Sequence, residues 1–133
     1  MKWSRYEQQR DTYYIIKEFN GYKYRVVVYV ERTDKTIKYW FGASSGKKRK
    51  EFDIFEDKNN KSLGGIKALF WIKECIFDFP TFYGEIRDLS NLNQYLCIQW
   101  VDNRRRDIYS RLQKEGFQFM QISREKILIK KLL

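Results

Sequence analysis

Two runs rich in β-branched and aromatic residues, Thr12 to Phe19 (TYYIIKEF) and Tyr22 to Glu31 (YKYRVVVYVE), are separated only by Asn20-Gly21. Asn and Gly are the residues that accept the positive φ angles of a two-residue hairpin turn, so this dipeptide commits the first third of the chain to antiparallel pairing. A turn around Asp34 and a third run, Thr36 to Phe41 (TIKYWF), extend the hairpin to a meander with Trp40 or Phe41 buried. The polar lead, MKWSRYEQQR, is expected to form one short helix.

Downstream, Gly42 to Lys50 (GASSGKKRK) has loop composition and ends in a basic run. Glu51 to Glu56 (EFDIFE) then alternates as a fourth strand, with Phe52 and Ile54 on one face. The longest helical pattern runs from about Gly65 to Phe79 and is expected to stop at Pro80. Ile66, Leu69, Phe70, Ile76 and Phe77 cover one broad face of it, with Ala68, Ile72 and Cys75 beside them, which suits a helix packed hard on a sheet. Thr81 to Asn93 gives weak signals, and Tyr95 to Trp100 (YLCIQW) reads as a fifth strand.

A capped basic helix follows over Asn103 to Phe117 (NRRRDIYSRLQKEGF): Asp102 or Asn103 caps it, Ile108 and Leu112 point inward, and Gly116 ends it. Phe117 to Ile122 and Ile127 to Lys131 close the chain as a hairpin. The expected fold is α/β (α+β), a single domain over residues 1–133, with a mixed, mostly antiparallel sheet of six to seven strands and two main helices.

A hydrophobic content of 43%, with 18% aromatic residues, is enough for a compact core. Cys75 and Cys97 lie in apolar runs without CxxC spacing, and the chain has no histidine, so the expectation is two reduced, buried thiols and no metal site. The start lacks the apolar centre of a signal peptide and no run is long enough to span a bilayer, which points to a cytoplasmic protein with no membrane partner. Lys and Arg number 27 against 17 acidic residues, and the resulting +10 favours polyanions such as coenzyme A, nucleic acid or an acidic protein surface. A single proline beside abundant Lys, Asn, Ile, Phe and Tyr suggests an AT-rich coding genome, such as a low-GC bacterium or its phage.

Two segments carry candidate chemistry. Lys61 to Lys67 (KSLGGIK) sits between a predicted strand and the long helix, where free amides and the helix dipole can hold a phosphate. Gly64 and Gly65 allow close backbone approach, and Lys61 and Lys67 add charge. Tyr109 lies beside the inward pair of the second helix, where its phenol can donate a proton or simply border the core.

Together these segments resemble the GNAT family of acyl-CoA N-acyltransferases. The family's pyrophosphate-binding loop, (Q/R)xxGx(G/A), is answered by Lys61, Ser62, Leu63, Gly64, Gly65 and Ile66, followed by Lys67-Ala68-Leu69. Its NxxAxxxY pattern before a GF is answered by Asn103, Arg106, Tyr109 and Gly116-Phe117. The element order from roughly Glu51 to Leu133 is also similar. The resemblance implies acetyl-CoA or another acyl-CoA as donor, bound by residues 61–67 and Asn103. It further implies Tyr109 as general acid toward the departing thiolate, with Glu51 or Glu56 taking the amine proton through water.

Two other readings use different residues. Asp34 with Glu56-Asp57-Lys58 imitates the PD-(D/E)xK nuclease pattern, in which carboxylates hold Mg2+ and a lysine supports the attacking water. Lys47, Lys48, Arg49 and Lys50, with Arg104, Arg105, Arg106 and Arg111, form basic patches suited to nucleic-acid phosphates or an acidic host protein without catalysis.

Overall fold

The computed structural model of the chain describes residues 1–47, 50–53, 65–100, 112–122 and 125–132. Among them are eight strands and one long helix: β1 (Ser4–Arg5), β2 (Thr12–Phe19), β3 (Tyr22–Arg32), β4 (Thr36–Lys47), β5 (Lys50–Asp53), α1 (Gly65–Ile86), β6 (Asn93–Trp100), β7 (Gln118–Ile122) and β8 (Glu125–Lys131). The strands form one sheet in the order β1-β2-β3-β4-β6-β8-β7, with β5 also paired to β4. Every pairing is antiparallel except β4 with β6. The result is an α+β fold with a mostly antiparallel sheet, slightly larger than expected. No described helix is long and apolar enough to cross a membrane.

The β2–β3 hairpin turns through Asn20 and Gly21 with φ angles of 52° and 80°, the conformation for which that dipeptide is suited. A Cβ on Gly21 would meet nothing within 4 Å, so glycine serves the angle rather than the space.

Several expectations fail, each for a tertiary reason. The polar lead contains β1 instead of a helix, because Trp3 enters the core and its indole N–H donates to Asp78 at 3.0 Å, while Ser4 and Arg5 pair with β2. Glycine- and serine-rich residues 42–47 are strand, not loop, since β4 is paired with β3 as far as Gly46 and, over residues 44–47, with β5. The fourth strand is described as β5, the return of a hairpin with β4, and Ile54, Phe55 and Glu56 lie outside the described residues.

The helix runs through Pro80 to Ile86. An interior proline forfeits a hydrogen bond and costs about 3 kcal/mol. Losing a buried aromatic side chain costs about 3–5 kcal/mol. Phe79 and Tyr83 on either side of Pro80 are 0% and 1% exposed, so packing outweighs the local penalty. The buried face is Ala68, Trp71, Ile72, Cys75, Ile76, Phe79 and Tyr83, an i, i+3, i+4 series. That face is rotated from the expected one: Leu69 and Phe77 flank it and Phe70 is exposed.

Residues Ile37, Tyr39, Phe41 and Ala43 of β4 meet this face, which resolves the Trp40-or-Phe41 choice in favour of Phe41. Near the carboxyl end of α1, Tyr13 and Tyr83 both donate to the Asp11 carboxylate, at 3.2 and 2.8 Å. Asp11 has a φ of 49°, a conformation that Asp tolerates better than most residues. Its carbonyl accepts the Val30 amide at 3.0 Å, fixing it to β3.

Replacing Asp11 by Ala strands two buried phenols and removes the short polar side chain that makes a left-handed residue tolerable. The expected loss is about 2–3 kcal/mol, read by urea denaturation, with Asp11→Asn losing less. Burial above all pushes Tyr13, Tyr39 and Tyr83 above their ordinary value of 10.0, the Asp11 hydrogen bond adding to Tyr83. Their contribution is complete below pH 10 and is lost as pH rises, because the unfolded phenols ionise first, so the melting temperature should fall above about pH 10.

Candidate functional site

The parallel pair β4–β6 is in register from Thr36 opposite Asn93 to Phe41 opposite Ile98. Beyond Phe41 the same edge of β4 is taken by β5, with Ser44 opposite Asp53 and Lys47 opposite Lys50. The carboxyl ends of β5 and β6 thus approach one edge of β4 from opposite directions. Among the described residues, the last two of β6, Gln99 and Trp100, pair with β8 alone. On a sheet with helical crossovers, the carboxyl ends of strands that part are the usual place for a ligand.

The start of α1 belongs to the same end of the molecule. Trp71 packs on Phe19 beside the β2–β3 turn, with ring centroids 5.9 Å apart, whereas Phe79 and Tyr83 pack on Tyr39 toward the beginning of β4. The helix consequently runs antiparallel to β4, and its N-terminal end lies toward the carboxyl ends of β4 and β6. Its first turn contains no acidic residue, and Lys67 there is exposed, so the end is electropositive. On the α1 side of β4 the large side chains Tyr39 and Phe41 give way to the small Ala43.

Gly65, Ile66 and Lys67 open α1, Glu51 stands opposite Gly46 in β5, and Lys47 and Lys50 face each other across the β4–β5 hairpin. These residues share one end of the sheet. Glu56, Lys61, Ser62, Leu63, Gly64, Asn103, Tyr109, Lys48, Arg49, Arg104, Arg105, Arg106 and Arg111 lie outside the described residues. The end of the second helix is described. Leu112 is buried, Gly116 has a φ of 97°, and the Phe117 amide donates to the Leu112 carbonyl at 3.1 Å, a glycine stop of the expected kind. Lys73 pairs with Glu115 at 3.0 Å and Phe77 meets Phe117, which anchors this segment to α1.

Of the nuclease pattern only Asp34 is described, and Glu56, Asp57 and Lys58 lie outside the described residues. Asp34 lies in the turn before β4, whereas Asp53, at the end of β5, stands opposite Ser44. The strand from Thr36 to Ser44 spans roughly 26 Å. Among the described residues no three His, Cys, Asp or Glu side chains converge to hold a metal ion.

Tyr24 is a member of the site end that sequence reasoning missed. It stands opposite Ser45 in the β3–β4 register, is 2% exposed, and has no hydrogen-bond partner for its hydroxyl. Its ring meets Phe19 edge-on at 5.7 Å. The Tyr-x-Tyr spacing of residues 22–24 signals its inward face, but nothing in the sequence signals the unpaired hydroxyl. A separate cavity of about 540 Å³ lies at the β7 margin, lined by Tyr95, Gly116, Gln118, Met120, Ile129, Lys130 and Lys131.

Cys75 and Cys97 are free and buried, the first facing the core under α1 and the second on the other side of the sheet. Burial pushes both thiols up to about 12, so neither is a nucleophile near neutral pH. Both should resist a disulfide reagent such as DTNB at pH 8 in the native protein and react fully in denaturant; rapid native labelling of either would contradict this burial. No protein-family model, curated protein or solved structure matches the chain.

Proposed function

We propose that the protein is a GNAT-like N-acyltransferase that uses acetyl-CoA or another acyl-CoA as donor and an amine as acceptor. The observation that carries this reading is the parting of β4 and β6 beyond Phe41 and Ile98, at the end of the sheet toward which the N-terminus of α1 points. An extended nucleotide thioester needs both an opening between strands and an electropositive helix start for its pyrophosphate. The element order supports the same reading: a parallel pair joined through a long helix, then a second helix and a closing antiparallel pair.

In this reading the amides and lysines of residues 61–67, with Asn103, hold the coenzyme. The acceptor nitrogen bonds to the thioester carbonyl carbon and the C–S bond breaks. Glu51 or Glu56 takes the amine proton through water, and Tyr109 gives its proton to the leaving thiolate. Glu51, on the short strand β5 beside the parting, is suited to the first of these roles.

Acetyl-CoA titrated against thermal unfolding tests the proposal. At one hundred times its dissociation constant it should add about 2.7 kcal/mol of stability. For a chain of this size that is a rise on the order of 10 °C. The absence of any shift at millimolar acetyl-CoA would reject the function.

A further inference from the structure

The cavity of about 540 Å³ at the β7 margin lies at the end of the sheet away from the parting of β4 and β6. Tyr95 is near the start of β6, and Lys131, which it faces, is the last residue of β8. The volume is that of a small-molecule site. Ile129 pairs with Cys97 on one side and Gln118 on the other, and Met120 follows two residues along β7. These residues alternate with Leu96 and Leu128, which are buried in the core with α1, so they share the opposite face of the sheet. Their chemistry is mixed. Tyr95, Ile129 and Met120 supply an aromatic ring, a branched chain and a polarisable thioether, while Gln118 and Lys131 supply exposed polar ends. No Asp or Glu lines the cavity, so the charge that a ligand meets there is positive. Lys130, also in the lining, is engaged: its ammonium donates to the Glu115 carbonyl and lies 5.5 Å from the Phe77 ring centroid. A Cβ on Gly116 would come within 2.9 Å of that ammonium, so glycine permits the close approach that fixes this wall. Lys131, exposed and on the face of the apolar residues, is the cation placed to meet a ligand.

From this arrangement we infer that the cavity is a binding site for a small aromatic anion. Its ring lies against Tyr95, Ile129 and Met120, and its carboxylate or sulfonate meets Lys131 and the Gln118 amide. A tyrosine ring and a methionine sulfur both favour an aromatic neighbour over an aliphatic one. The lining, cationic and free of acids, favours an anion over an amine. Because Lys131 and Gln118 are exposed, the anionic group keeps part of its water and the cost of burying a charge is avoided. The site lies at the other end of the sheet from the opening assigned to the coenzyme and does not depend on the acyltransferase reading.

The test titrates two fluorescent probes with the same rings, the anionic 1-anilinonaphthalene-8-sulfonate and the neutral N-phenyl-1-naphthylamine, into the full chain. Wild type, Lys131→Gln, Met120→Glu and Lys114→Gln are compared, with thermal unfolding of each measured alongside. The anionic probe should saturate a single site on wild type and bind more tightly than the neutral one. Lys131→Gln should weaken the anionic probe about threefold, the scale of one exposed charge contact, and leave the neutral probe unchanged. Met120→Glu places an acid in the lining and should weaken the anionic probe about tenfold. Lys114→Gln removes an exposed lysine outside the cavity and should bind as wild type does. All three positions are exposed, so the melting temperatures should stay close to that of wild type. Anionic-probe binding by Lys131→Gln equal to that of wild type overturns the site, as does an equal loss in Lys114→Gln. Displacement of the probe by excess acetyl-CoA also overturns it, because the probe would then occupy the opposite end of the sheet.

Discussion

Phe79 is where the architecture is held. Its ring touches those of Trp3, Tyr13, Tyr39, Phe41, Phe82 and Tyr83, so one side chain joins the N-terminal lead, β2, β4 and α1. It also precedes Pro80, and a residue before proline disfavours the helical region. The helix holds through that position because the core supplies more contact energy to Phe79 and Tyr83 than the backbone loses. The crossover from β4 to β6, and the orientation of the α1 N-terminus, follow from that helical continuity.

β4 carries this packing across the sheet. It is central for its first half, where β3 and β6 flank it, and carries the bulky residues Ile37, Tyr39 and Phe41 under the far half of α1. In its second half it exchanges β6 for β5 and, on the α1 side, its large side chains for the small Ala43. Both changes occur at the same point in the strand, so the loss of a parallel neighbour and the step to a small side chain coincide.

What was legible in the sequence was what local chemistry decides. Asn20-Gly21 announced its turn because left-handed φ angles have few takers, and Gly116 announced the end of the second helix for the same reason. Gly65 to Lys67 were recognisable as a helix start from the apolar period that follows them. Residues 42–47 were misread because a Gly-Ser run becomes strand only when neighbours on both edges provide the hydrogen bonds. Pro80 misled because its cost is local while its compensation comes from rings distant in sequence, and the same applies to Trp3, whose partner Asp78 is 75 residues away. Tyr24 was not marked in the sequence, because the status of its hydroxyl depends on everything packed around it. Much of the candidate site, Tyr109 and Asn103 included, lies outside the described residues.

The parallel pairing of β4 with β6 also orders events in time. The contacts within β1 to β4 are between neighbours in sequence, so the meander forms through short loop closures, whereas Tyr39 must wait for Gln94, 55 residues further on. During synthesis the meander therefore emerges with its tyrosines and valines bare, before α1 exists to cover them. Closing the longer loop adds only a logarithmic entropy cost, so the delay rather than the energy is the hazard. A chain that carries +10 repels its own copies through that interval, which gives the basic composition a role in reaching the native state.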